Sequence, residues 1–296
     1  MVAGWGDKNK IYGFKKLNMK MEERFQNSPA EVSRMNTDEL RKAFMITDLM
    51  QTGKIHFVYS HYDRMLIGGV VPGKEEIVLQ NYNQLKANYF LQRREMGIIN
   101  IGGTGTITAD GIEYTLNKLD CLYIGRGTKE VTFRSNNDNQ LANFYLLSSN
   151  AHHTYENTLM KISEAVTEDL GSAATSNQRT IYKYIHENGI KSCQLVMGLT
   201  ILKEGNVWNT MPAHTHYRRM EVYLYFDLDE KQRVFHFMGE PQETRHVVMA
   251  ANEAVISAPW SIHAGCGTSA YSFIWGMAGE NQSFADMDFV EIKNLK

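Results

Sequence analysis

Short apolar and β-branched runs, punctuated by Gly, Pro, Asn and Asp, fill most of this chain and predict strands. The first series comprises Ile55–Ser60, Met65–Val71 (closed by Pro72-Gly73), a long run ending at Ile101, Thr106–Ala109, Ile112–Leu116, Cys121–Ile124, Val131–Phe133 and Phe144–Leu147. Asp110-Gly111 between two of these reads as a type I′ hairpin turn. Gly102-Gly-Thr-Gly105 invites a phosphate-binding reading, but no helix-forming segment or Lys-Ser/Thr follows. A tight turn between strands is the better account. A second series runs through Thr180–Ile185, Gln194–Leu202, Val222–Phe226, Val234–Met238, His246–Met249, Ala254–Ser257 and Tyr271–Met277. Helical periodicity is confined to a segment capped by Thr37, with Asp38 and Glu39 in its first turn and Leu40, Ala43 and Phe44 on one face. A short amphipathic piece spans Ile162–Leu170. Many short strands at this spacing predict an all-β chain of antiparallel barrels or sandwiches with a few short helices.

The two series divide the chain. Residues 1–20 are polar, Lys-rich and lack a signal peptide's apolar core, so they read as an extension outside the compact fold. Residues 21–165 and 166–296 form the two expected halves, joined through a polar stretch from Ser148 to about Asn177. The halves echo each other. Arg93-Arg94-Glu95-Met96 opens a strand in one and Arg218-Arg219-Met220-Glu221 in the other; Asp120-Cys-Leu-Tyr-Ile124 matches Glu253-Ala-Val-Ile-Ser257, and extending this second register sets Glu130 opposite His263.

Composition narrows the function classes. With 296 residues and 43% hydrophobic content the chain can build substantial cores, and a net charge of −2 offers no global field for nucleic acid or an anionic membrane. Ala254–Gly279 is free of Asp, Glu, Lys and Arg, but its Pro, His and many Gly are unlike a membrane span. Cys121, Cys193 and Cys266 are odd in number, widely spaced and without CxxC, which fits a reducing cytoplasm.

The chemistry concentrates in Met211-Pro-Ala-His214-Thr-His216-Tyr-Arg-Arg-Met-Glu221. Side chains two apart on a strand share a face, so His214 and His216 can converge on one ion. Glu221 lies an odd number of residues further on and joins them only through a bulge, a tight bend or a fresh strand. His263, in Pro259-Trp-Ser-Ile-His263, is the best fourth candidate. Three imidazoles and one carboxylate suit a borderline divalent ion with positions left open. The blander alternative for each His is a hydrogen-bonded core residue. His152 and His153 read as solvated loop histidines, and His236 and His246 as either core or pocket.

His214-x-His216-x4-Glu221 with a later His263 resembles the metal motifs of the cupin superfamily, which implies two cupin-like β-barrels (a bicupin) with the ion in the second. From about Phe44 onward the chain more specifically resembles the 5-dehydro-4-deoxy-D-glucuronate isomerase family. Glu95-Met-Gly-Ile-Ile-Asn-Ile-Gly-Gly103, Trp208-Asn-Thr-Met-Pro212, Arg218-Arg-Met-Glu-Val-Tyr223, Gly239-Glu-Pro-Gln-Glu-Thr-Arg-His246, Phe273-Ile-Trp-Gly-Met277 and Gly279-Glu-Asn-Gln282 carry that match. Departures concern the general cupin pattern: Gly205 stands nine residues before His214 rather than six, and Pro259 four before His263 rather than five.

The resemblance implies zinc on His214, His216, Glu221 and His263 (manganese, iron and nickel accept the same donors), a homohexamer, and a ketol-isomerisation of a deoxy-keto-uronate from pectin or related polysaccharides. Such a reaction moves two hydrogens between adjacent carbons, through an enediolate and a general base or through a hydride shift. The substrate carboxylate calls for an Arg fork, and Arg179 and Arg245 are the choices, each with a surface salt bridge as its alternative. Arg218 and Arg219 lie nearer the motif, but neighbours on a strand cannot both face one pocket. The rival functions are a cupin dioxygenase using the same four ligands and a non-catalytic sugar-binding double cupin.

Overall fold

The structure is a computed structural model describing residues 20–280, 283 and 286–296; the expected 1–20 extension lies, but for Lys20, outside the described residues. Among the described residues the strands form two seven-stranded sheets, two four-stranded sheets and one two-stranded ribbon. In the first seven-stranded sheet the order is 22–24, 55–60, 66–70, 144–150, 94–100, 121–124 and 158–160; its four-stranded companion runs 77–78, 131–135, 105–109, 112–116. The second pair repeats this: 166–170, 179–185, 196–202, 272–279, 219–226, 254–257 and 45–46, facing 208–209, 264–267, 234–240, 243–249. The five inner strands of each large sheet and all four of each small one correspond between the halves, while the outermost strands differ: Glu22–Arg24 pairs parallel to its neighbour and Val166–Leu170 antiparallel.

The two large sheets lie back to back, and this explains why their interior strands are buried on both faces. Arg94–Asn100 and Arg219–Phe226 are buried along their whole length. In the first, Met96 and Ile98 join the core of their own barrel while Ile99 joins the larger core shared between barrels. Backbone approach there is close. A Cβ on Gly97 would stand 2.7 Å from Met197 Sδ, and one on Gly276 only 2.0 Å from Leu147 Cδ1.

Departures from the expected elements are local. The Thr37–Phe44 helix is capped by Asn36, one residue earlier than expected, in a reciprocal box with Glu39; Thr37 is its first helical residue. A four-residue helix, Pro29–Val32, precedes it with its own box between Ser28 and Glu31. Ile162–Leu170 is a 3-10 turn and then an edge strand, Val166–Leu170, and the polar stretch before it holds the edge strand Thr158–Met160. Edge strands bury little, so neither sequence carries the apolar signal of a strand. Chain order and barrel membership also differ in one place: Met45–Ile46 pairs with Ala254–Val255, and Arg41 donates to the Val248 carbonyl (3.0 Å), so this early segment sits on the second barrel. The Asp110-Gly111 turn has positive φ at both residues, as a type I′ turn requires. Gly102 and Gly103 form a tight turn against the 140–143 backbone.

Candidate metal centre

Four elements of the second barrel bring the chemistry together. His214 lies on a two-residue strand that pairs with Asp288–Phe289. A tight turn follows, closed by Arg219 N–H donating to the His216 carbonyl (3.2 Å), and Arg219–Phe226 then starts afresh. That turn resolves the odd spacing: Glu221 belongs to a new strand and faces inward with Arg219, Tyr223 and Tyr225. Met220, Val222 and Leu224 take the opposite, apolar positions. His263 immediately precedes the Ala264–Gly267 strand.

The ligand atoms of His214, His216, Glu221 and His263 all lie within 4.8 Å of one another, and the four residues are buried. Glu221 Oε2 stands 3.0 Å from His216 Nε2 and 2.8 Å from His263 Nε2, which is itself 2.9 Å from His214 Nε2. The other ring nitrogens decide what this means. His216 Nδ1 faces the Arg219 carbonyl (3.0 Å) and His263 Nδ1 the Ser261 carbonyl (3.3 Å), and a carbonyl accepts only, so both Nδ1 atoms carry the proton. In the neutral rings Nε2 is then a bare lone pair aimed at other lone pairs. A cation at the centre turns this mutual repulsion into coordination, and the carbonyls act as the outer partners that orient ligating imidazoles. The residues therefore fit a divalent ion.

The titration shifts agree. Burial, with His263, His216 and Arg219 beside it, pushes His214 down to about 2, so its ring is neutral. Burial alone would raise Glu221, but positive charge and N–H donors on His263 and His216 outweigh it and hold the carboxyl below its usual range, the part a central cation would take over where those nitrogens are bare. Deeper in the barrel, burial brings His236 down to about 3, and its Nδ1 meets the Tyr225 hydroxyl at 2.8 Å. His236 is thus a neutral core residue, while His152, His153 and His246 are exposed.

Beside the cluster is a cavity of about 160 Å³ lined by His214 and Glu221, with Arg179 and Arg219 for charge and Trp275 and Phe289 for part of its apolar wall. Arg179 donates to the Asn177 carbonyl (2.8 Å), and burial lowers its pKa. Arg245 is not in this lining; its guanidinium donates to the carbonyls of Ser33 (2.9 Å) and Met35, tying the strand Glu243–Met249 to the N-terminal helices. Arg219 is the cavity residue passed over in the sequence. Its signal was present, because it lies two residues before Glu221 and so shares its face, whereas Arg218 pairs with Asp286 at the surface. Tyr223 was also unmarked. Its hydroxyl meets Thr210 Oγ1 at 3.0 Å, and burial raises its pKa well above the ordinary value.

Two repeated barrels with one buried three-imidazole, one-carboxylate cluster define a bicupin with a candidate mononuclear metal centre. The chain belongs to the KduI/IolB family, whose model matches residues 45–292. It is 55% identical over 276 residues to the 4-deoxy-L-threo-5-hexosulose-uronate ketol-isomerase of Halalkalibacterium halodurans, covering 93% of this chain and all of that one. The protein of the same name from Formosa agariphila is 50% identical over 280 residues, again over its full length and 95% of this chain. Among solved structures, an IolB-like protein from Salmonella typhimurium superposes with a TM-score of 0.66 at 14% identity, covering 83% of this chain and 96% of that one. Lactobacillus farciminis oxalate decarboxylase gives 0.56 at 8% identity, over 77% and 82% of the two chains. These two speak for the fold alone. No helix among the described residues is long and apolar enough to cross a membrane.

Proposed function

We infer that this chain is a ketol-isomerase that interconverts 5-dehydro-4-deoxy-D-glucuronate and 3-deoxy-D-glycero-2,5-hexodiulosonate. The observation that carries the reading is the convergence of His214, His216, Glu221 and His263 beside a cavity holding a partly buried arginine. The relatives named for this activity align along their whole length. Zinc is the ion we assign, with His214, His216, Glu221 and His263 as its ligands; it supplies Lewis acidity to the ketol oxygens.

The chain's own residues then have separable tasks. Arg179 offers its guanidinium to the substrate carboxylate. The Tyr223 phenol keeps its proton at neutral pH and, aligned by Thr210, can donate to a substrate oxygen. Trp275, Phe289 and Met211 exclude water from one side of the cavity. Glu221 is the one carboxylate in the lining and is committed to the ion, so the lining itself offers no free carboxylate base. The three cysteines are unpaired, which supports a cytoplasmic setting, and we assign a homohexamer, to be weighed by light scattering.

The test is anaerobic incubation with 4-deoxy-5-ketouronate after metal quantification. One ion per chain and conversion without oxygen support the isomerase. Oxygen-dependent turnover would make it a dioxygenase, and binding without turnover a sugar-binding protein. Deuterium from solvent in the product separates the enediolate route from a hydride shift.

A further inference from the structure

The first barrel has a mouth of its own, and its chemistry is the opposite of the second's. A cavity of about 410 Å³ there is lined by four arginines, Arg64, Arg93, Arg94 and Arg126, and by no carboxylate. They arrive from three segments, Arg93 and Arg94 being consecutive. Arg64 sits in the turn between the strands Ile55–Ser60 and Leu66–Val70, and Arg93 follows the 3-10 turn Phe90–Gln92. Arg94 opens the strand Arg94–Asn100, and Arg126 lies just beyond Cys121–Ile124.

Register shows that the two mouths correspond. Met96 pairs with Ile124, the last residue of its neighbouring strand, as Glu221 pairs with Ser257, the last of its own. Met96 therefore stands where Glu221 does, and Arg94 where Arg219 does. The positive residue is kept at this place and the carboxylate is replaced by a thioether.

Charge in this mouth is held without being neutralised. Arg94 is buried, and its guanidinium donates to Ser148 Oγ (3.1 Å), the Ser148 carbonyl (2.6 Å), Asn150 Oδ1 (2.9 Å) and the Arg64 carbonyl (2.6 Å). With neutral acceptors only, burial pulls its pKa down to about 10. Arg126 donates to the carbonyls of Gln92 (3.2 Å), Ala151 (3.2 Å) and His152 (3.0 Å), and Arg93 Nη2 to those of Leu85 and Lys86 (both 2.7 Å). Among the described residues none of the four is within ion-pair distance of a carboxylate. The adjacent acids are engaged elsewhere: Asp63 accepts from Met220 N–H (2.9 Å), and Glu95 is turned toward the other barrel. A buried, unpaired guanidinium is costly, and carbonyl anchoring of several around one space is the arrangement of a preformed anion site.

We propose that the mouth of the first barrel binds a compact, multiply charged oxyanion of the phosphate or phosphate-ester class. A lone carboxylate is satisfied by one guanidinium fork in its plane. Cations converging from several elements suit an ion whose oxygens point in several directions. The site is separate from the metal cluster and does not depend on the isomerase reading.

The test is isothermal titration of the full-length protein with inorganic phosphate at fixed ionic strength, with acetate as the monocarboxylate comparison. Arg64→Gln/Arg126→Gln is the variant, since both side chains are more accessible than Arg94, and circular dichroism and light scattering establish its fold and mass. The expected result is saturable binding of one phosphate per chain, weakened by about tenfold or more in the variant, with phosphate-free turnover unchanged. Absence of saturable binding, equal binding by the variant, or equal displacement by acetate overturns the proposal. If wild type binds no phosphate and the variant changes its oligomeric mass, the arginines seat an acidic residue of a second copy instead, which also overturns it.

Discussion

Glu95 and Glu221 are both buried carboxylates near the start of corresponding interior strands of their sheets, yet they do opposite work. Glu221 points into its barrel, where imidazole nitrogens surround it. Glu95 is one register step out of phase: it corresponds to Met220 and points toward the other barrel. There it accepts hydrogen bonds from Tyr123 Oη (2.8 Å), Ser149 Oγ (3.0 Å) and the N–H groups of Cys193 (2.7 Å), Gln194 (2.8 Å) and Leu195 (2.9 Å). Neutral donors satisfy one carboxylate, and the other is left to face lone pairs. On a strand with period two, a single step separates a docking group from a ligand.

The comparison breaks most visibly at Glu221. Glu221→Gln is expected to lower turnover by about a thousandfold or more and to abolish tight ion binding, measured by steady-state kinetics and metal analysis of the same preparation. The fold should survive, because the amide removes a charge from a cluster of lone pairs. Full activity with no ion bound would end the metal reading.

Glu95→Ala should do the reverse, leaving the cluster intact and costing about 3–5 kcal/mol of stability, since it strands several buried donors at once. Denaturant unfolding with metal content measured in parallel separates the two glutamates; a loss under about 1 kcal/mol would show that Glu95 does not dock the barrels.

Arg179 sharpens the contrast within the second barrel. Arg179→Ala is expected to raise KM by roughly ten- to a hundredfold with metal content unchanged, the range for losing a charged hydrogen-bond partner. A fall in kcat alone would move Arg179 from binding the substrate carboxylate to another task.

How much of this was legible follows from what periodicity records. The central strands, the hairpin at Asp110-Gly111 and the His214–Glu221 motif were readable because buried strands and special turns leave local marks. The turn after His216 was not, since nothing in Tyr217-Arg218 distinguishes a reversal from a bulge. Arg219 was readable in principle from its spacing to Glu221, but until the strand start at Arg219 is known the adjacent Arg218 is an equal candidate for the inward face. The edge strands Thr158–Met160 and Val166–Leu170 have too little burial to pattern their sequence. Long-range placement left no local trace at all: nothing in Met45–Ile46 shows that it joins the second seven-stranded sheet.

That displaced segment gives the smallest expected effect and the finest test of how the halves are built. The helix Thr37–Phe44 comes from the first half of the sequence, but its buried Leu40 and Phe44 join the core that includes Val247, Met249 and Val255 of the second barrel. Its start is fixed by Asn36, whose side chain accepts from Glu39 N–H (3.0 Å) while Glu39 Oε2 accepts from Asn36 N–H (2.8 Å). Asn36→Ala should cost about 1 kcal/mol, whereas Thr37→Ala, at a position that makes no cap, should stay within about 0.5 kcal/mol. Because the helix is seated on the second barrel, the Asn36 loss should appear in the same unfolding transition that metal binding stabilises, and should shift with added zinc. A larger loss at Thr37 than at Asn36 would return the cap to the position the sequence pattern suggests. An Asn36 effect confined to a separate, metal-insensitive transition would place the helix with the first barrel instead.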